Sequence, residues 1–236
     1  MKNHLEKRFK QLIKEIRMLN FKKMVEIEFG VLKNTIFLVD DSVNITTEQF
    51  QESNFKKFKQ LVKQEEIEKD FNNTINIDKK IDSKELKKEL KENLKSVFNT
   101  IISGTSKLIE AISFQYNYEP SLSILCWAGG KYEANKTDKY VDLGELNYYI
   151  ENEINFSDWL IPIINLENKY DLFEEFELES FFKLKELYYL NFYLNLKQSL
   201  FEILEKNIKL KSVFTKQVYF YVNEFDCEQT FLLRFN

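Results

Sequence analysis

Side chains able to do covalent or acid–base chemistry are scarce in this chain. It has one imidazole (His4), two thiols (Cys126 and Cys227), five glycines and two prolines in 236 residues. Acid–base work by imidazole needs a histidine held within reach of a reacting proton. His4 stands beside the chain start, where residues are poorly tied down, and is expected to be solvated. A nucleophilic thiol needs a depressed pKa, supplied by an imidazole or a helix N-terminus. Cys126 lies between Leu125 and Trp127 in an apolar run, so a structural thiol is expected there. Cys227 sits in a polar, turn-like stretch. Gly129 and Gly130 offer the start of a backbone anion nest, but a phosphate loop needs more glycines at set spacing. A two-residue hairpin turn accounts for the pair.

Carboxylates can work without histidine, because Mg²⁺ accepts oxygen ligands alone. Asp40 and Asp41, following the apolar run 36–39, are the best local pair. They define the catalytic alternative, a metal-dependent nuclease or hydrolase. The acid-x-Lys pattern that such a nuclease would add on the next strand is not found. Lys84, Lys88, Lys91 and Lys95 share one helix face, which suggests a phosphate track. Glu85, Glu89 and Glu92 flank that row, and residues 51–95 hold 12 Lys against 10 acids. A charge-balanced solvent face is the expectation, and nucleic acid is not an expected partner. No cofactor, no bound metal and no enzyme activity are expected.

The strongest local bias is acidic. Residues 140–182 carry 11 acids and one base, Lys169, for a net charge of −10. The flanking stretches are +4 (1–139) and +2 (183–236), so the overall −4 conceals the concentration. Tyr148, Tyr149, Phe156, Trp159, Tyr170, Phe173 and Phe176 lie in the same segment. Acids steer a basic protein toward the surface, and aromatic side chains anchor it. The candidate partner-binding residues are Glu145, Glu151, Glu153, Asp158, Glu167, Asp171, Glu174, Glu175 and Glu177, with Trp159 as an anchor.

These residues must be positioned by a fold that hydrophobic spacing outlines. Apolar residues at helical intervals predict helices over 3–20, from Thr46 to about 70, from Asp82 to Ile112, and from Ser180 to about 206. Thr46 with Gln49 and Asp82 with Glu85 have capping-box spacing. Gly104 lies inside the third pattern and marks a kink or a break. Alternation at Val25, Ile27 and Phe29, followed by 36–39, predicts a β-hairpin. Residues 71–81 read as an edge strand or a loop, and 121–128 as a buried strand. Residues 131–133 would begin the returning strand. Asp142 with Glu145 suggests a short helix reaching Ile150, and 159–164 is mixed. Residues 218–222 and 230–235 close the chain as strands.

Hairpins and long helices without regular β-α-β alternation predict an α+β protein, a mixed or antiparallel sheet packed against several long helices. Residues 1–236 read as one domain with a soft boundary near 72–82. No uncharged run approaches the roughly 18 apolar residues a membrane span needs. The N-terminus leads into a charged helix instead of a signal region. Reduced thiols in the cytoplasm are therefore expected.

The acidic 140–182 segment, the strand–Gly129–Gly130–strand unit and the aromatic strand 218–222 together resemble the toxin-immunity proteins of bacteria. That resemblance implies a cytoplasmic, non-catalytic protein that covers the active site of a basic toxin. A scaffold in a bacterial defence assembly, pairing aromatic faces with copies of itself, is a further alternative.

Overall fold

Helical spacing at the N-terminus produces α1 (His4–Arg17), which buries Leu12 and Ile16 and leaves its charged side to solvent. The structure, a computed structural model, describes residues 4–34, 46–76, 84–104, 108–116, 121–128, 148–155, 157–170, 179–224 and 230–236. Among the described residues are seven α-helices, one 3-10 turn and five strands, an α+β fold in which helices dominate.

The chain forms two compact units, Met1–Asp82 with Leu160–Leu190, and Ser83–Trp159 with Asn191–Asn236. The sequence reads as one domain, and its soft division at 72–82 ends at the first of these boundaries. The first unit holds α1, α2 (Phe21–Asn34), α3 (Thr47–Leu61), α4 (Glu65–Ile75), most of α6 (Ser157–Tyr170) and the start of α7 (Glu179–Lys206).

The hairpin expected from residue 25 is replaced by helix through Asn34, while 35–45 lie outside the described residues. Asn20 supplies the start, its Oδ1 accepting from the Lys23 N–H at 2.8 Å. Phe21, Met24, Glu28 and Leu32 then fall on the buried side at helical spacing. Phe21 meets Phe71 edge-on at 5.9 Å, and Phe29 lies 5.0 Å from both Phe55 and Phe58. At the other end, Gln51 Nε2 donates to the carbonyls of Leu32 (2.9 Å) and Lys33 (3.1 Å), partners a helix C-terminus needs.

Gly30 lies inside α2, and a Cβ added there would meet nothing within 4 Å. Gly30→Ala is therefore expected to stabilise the protein by about 0.5–1 kcal/mol, the helix cost of glycine. Urea unfolding should show a higher midpoint at unchanged slope. A lower midpoint would contradict the helix.

Thr46 and Gln49 do form the predicted capping box of α3, with reciprocal bonds of 3.2 and 2.9 Å. The helix stops at Leu61 instead of running to 70, tightened by the Lys63 N–H to Gln60 carbonyl bond. Its successor α4 continues to Ile75, so the edge strand or loop expected from residue 71 gives way to helix.

The second unit holds α5 (Lys84–Gly104), β1 (Ile109–Tyr116), β2 (Ser121–Ala128), β3 (Tyr148–Asn155), the rest of α7, a 3-10 turn (Ile208–Ser212), β4 (Phe214–Glu224) and β5 (Thr230–Phe235). Gly104 is the last residue of α5, and the Leu108, Ile109 and Ile112 positions expected on that helix belong to the approach to β1 and to β1 itself.

The five-stranded sheet has the order β3-β2-β1-β4-β5. β1 and β4 run parallel and the other neighbours antiparallel, so the sheet is mixed. Ile109 and Ala111 through Phe114 are all buried, as a central strand covered on both faces requires. The core behind it includes Phe98 of α5, Phe214 and Phe220, linked edge-on at 6.3 and 6.2 Å. β3 begins at Tyr148, where a short helix was expected, and α6 replaces the mixed segment 159–164.

Candidate functional site

The acidic segment is distributed over elements of different kinds. Glu151 and Glu153 lie on β3, an edge of the sheet. Leu122 pairs with Ile154 and Ile124 with Ile150, so Ser123 alone opposes Glu151, Asn152 and Glu153. Such a bulge twists an edge strand and interrupts its pairing. Charged residues on an edge also discourage unwanted strand addition. Asp158 and Trp159 occupy the first turn of α6.

Farther along α6, Glu167 takes Lys185 of α7 at 3.2 and 3.4 Å. The Glu167 side chain is only 17% exposed and that of Lys185 22%. Glu167 is thus held within its own unit. Glu145, Asp171, Glu174, Glu175 and Glu177 lie outside the described residues.

At the end of α6 the chain is fastened to α4. Lys169 Nζ lies 2.7 Å from Glu66 Oε2 and 2.8 Å from Asp70 Oδ2. The Tyr170 hydroxyl also donates to Asp70 Oδ2 at 2.8 Å. The bond from Lys169, then that from Tyr170, holds the Asp70 carboxyl below its ordinary range. Lys169 is correspondingly raised, first by its bond to Asp70 and then by that to Glu66. Burial, followed by the bond to Asp70, raises the Tyr170 phenol. The ammonium of Lys169 already fills the place between the two carboxylates where a cation would sit.

The start of α7 is fastened differently. Glu28 of α2 is 1% exposed, and its Oε1 and Oε2 accept from the backbone N–H groups of Ser180 (2.8 Å) and Glu179 (3.1 Å). A carboxylate from another helix thereby satisfies two orphan donors at the positive end of α7. Burial pushes the Glu28 carboxyl up, and the bonds from Ser180 and Glu179 oppose that shift only in part. Sequence reasoning placed Glu28 inside a predicted hairpin strand, alternating with Ile27 and Phe29, and assigned it no role. The available signal was an acid on the 21/24/28/32 apolar stripe.

His4 is exposed at the start of α1. Cys126 is on β2, opposite Ile112 and Tyr148 in the backbone register. Asp40, Asp41, Cys227, Gly129, Gly130 and the returning strand 131–133 lie outside the described residues. In the lysine row of α5, Lys91 is paired with Glu202 at 2.6 Å, while Lys84, Lys88 and Lys95 are exposed. Among the described residues no group of three His, Cys, Asp or Glu side chains can hold a metal ion. No helix among them is long and apolar enough to cross a membrane.

Three comparisons extend the description beyond this chain: no family model matches it, and neither a curated protein nor a solved structure does.

Proposed function

We propose that this chain is a non-catalytic protein-binding module of the immunity type, which neutralises a basic bacterial toxin in the cytoplasm through the acidic, aromatic surface of residues 140–182. The observation that carries this reading is the placement of Lys169. It is the one base in a segment with 11 acids, and its ammonium is bound to Glu66 and Asp70, outside the segment. The segment's charge is therefore not relieved by its own lysine. Of its acids, Glu167 pairs with Lys185 and Glu179 with Lys183. Glu151 and Glu153 on the edge strand and Asp158 in the first turn of α6 are further acids of the segment that fall on described elements. Concentrated charge speeds encounter with an oppositely charged protein and discriminates against acidic ones.

The test uses poly-L-lysine of defined length as a basic probe, with binding followed by stopped-flow fluorescence. Glu151→Lys/Glu153→Lys/Asp158→Lys is expected to slow association about tenfold at low salt, with the difference shrinking as salt rises. A control with the same change in net charge, Glu48→Lys/Glu52→Lys/Glu92→Lys, is expected to have a much smaller effect. Equal losses in the two variants would reduce the effect to net charge and remove the proposed surface.

A further inference from the structure

The solvent side of α1 and the corner that leads into α2 concentrate positive charge. Residues 4–25 hold seven bases against two acids, and 16–25 hold no acid. Lys7, Lys10 and Lys14 fall at i, i+3 and i+7 on α1 and are all exposed. Met18 follows one turn after Lys14 and, at 65%, is the most exposed large apolar side chain among the described residues. Lys22 and Lys23, also exposed, stand in the first turn of α2, which has no acid. Four residues of chain span at most about 14 Å, so Lys22 lies within that distance of Met18. Among the described residues none of these five lysines forms an ion pair. Glu6 is half-buried, and Glu15 accepts from Gln11 and faces Lys183. Glu26, exposed one turn beyond, pairs with neither Lys22 nor Lys23.

A lysine row on a helix is ordinarily a solvated face balanced by its neighbours, and α5 is that case. There Glu85, Glu89 and Glu92 flank Lys84, Lys88 and Lys95, and Lys91 is paired with Glu202. The α1–α2 corner lacks that balance. Two lysines at the positive end of α2 also add to the helix field instead of offsetting it.

The chemistry of the patch selects among anions. The apolar sides of both helices are in the core, Leu12 and Ile16 from α1 and Phe21, Met24 and Leu32 from α2. Neither helix therefore offers the apolar face that inserts into a bilayer. Lysines are point charges without the planar fork that reads bases, and the protein as a whole is negative. An exposed thioether at the end of a lysine row is the adaptable apolar contact of a peptide-binding surface. Lys7 to Lys14 covers about 10 Å along the helix and Met18 about 6 Å more, which about five residues of extended chain would match.

We propose that this patch binds a short acidic segment of a partner protein, with carboxylates on the five lysines and one apolar side chain against Met18. Binding here draws on none of residues 140–182, so it stands or falls apart from the basic-partner reading.

Fluorescence anisotropy of the full chain tests this at about 50 mM salt with two labelled peptides, octa-glutamate and the same peptide with a central leucine. Wild type should bind both, prefer the leucine peptide, and lose affinity at least about tenfold at about 0.5 M salt. Lys7→Gln/Lys10→Gln/Lys14→Gln should weaken both complexes about tenfold, while Lys7→Arg/Lys10→Arg/Lys14→Arg keeps the charge and should bind like wild type. Lys84→Gln/Lys88→Gln/Lys95→Gln removes the same charge from α5 and should change affinity by less than about twofold. Met18→Ser should abolish the preference for leucine and keep the octa-glutamate complex. No binding of either peptide by wild type, equal losses in the α1 and α5 glutamine variants, an arginine variant as weak as the glutamine one, or a Met18→Ser chain that still prefers leucine would each overturn the proposal. Tighter α1-dependent binding of a short DNA duplex or of phosphatidylserine vesicles than of either peptide would overturn it in favour of that polyanion.

Discussion

Glu28→Ala is expected to destabilise the protein by about 2–4 kcal/mol. The substitution leaves the N–H groups of Glu179 and Ser180 without their acceptor, and Ser180 is itself buried. Each unsatisfied buried donor costs about 1–3 kcal/mol, and the helix loses a favourable anion at its positive end. Relief from burying a charge offsets part of this. Glu28→Gln keeps the volume and one acceptor, so its cost should be about half as large.

The pH dependence has a definite sign. Burial raises the folded-state pKa of Glu28 above its unfolded value, so the folded chain binds more protons in the window between them. Stability from this group is therefore complete below the unfolded pKa, about 4.3, and falls as pH rises through the raised value. The gap between wild type and Glu28→Ala should accordingly be widest at acidic pH and narrow toward neutrality. Urea unfolding across that range measures it. A loss below 1 kcal/mol at every pH, or a gap that widens as pH rises, would refute the assignment of Glu28 as a buried cap.

Phe98→Ala should have the largest effect in the second unit, about 3–5 kcal/mol. Phe98 is 0% exposed and meets Phe214 edge-on, which in turn meets Phe220 of the central sheet. Truncation removes the transfer energy of a whole ring, leaves a cavity beside β4 and breaks the aromatic series at its helical end. Phe98→Leu fills most of that space and should cost about 1–2 kcal/mol. Phe201→Ala provides the comparison, since Phe201 is 48% exposed on α7 and should change stability by only about 0.5 kcal/mol. Similar losses at Phe98 and Phe201 would mean that the α5–β4 contact is not where the unit is held.

Against these buried contacts, the legibility of the sequence divides by the range of the interactions that decide each element. α7, β2, β4 and β5 were readable because long apolar runs or strong alternation specify them locally. The Thr46 and Gln49 box was readable for the same reason. Residues 25–34 were not, because Val25, Ile27 and Phe29 satisfy a period of 2 while Phe21, Met24 and Leu32 satisfy one of 3.6. Asn20 as an N-cap, and burial of the whole stripe, decide for helix. The third helix was overextended because the apolar residues of β1 continue the α5 pattern across Gly104, although that glycine marks the end correctly.

The same division holds at the candidate site. The charge imbalance of 140–182 is a count, available from the sequence. The engagement of Glu167 by Lys185, and of Lys169 by residues 99 and 103 positions away, depends on tertiary packing. No local pattern contains those pairs. Glu28 is an instance of both, visible as an anomaly in a helical stripe and explained only by a helix that begins 151 residues later.

The discontinuity of the two units bears on how the protein is made. The first 82 residues belong with 160–190, and β1 aligns with β4 through Ile109 and Phe214. During synthesis, α1 to α4 must wait for about a hundred further residues before the start of α7 reaches them, roughly 5–20 s at ordinary elongation rates. Over that interval Leu184 and Leu187, which are 0% exposed in the finished unit, are not yet available to it. The parallel β1–β4 pairing waits longer still, since its second strand lies close to the C-terminus. Slower elongation lengthens both waits in proportion.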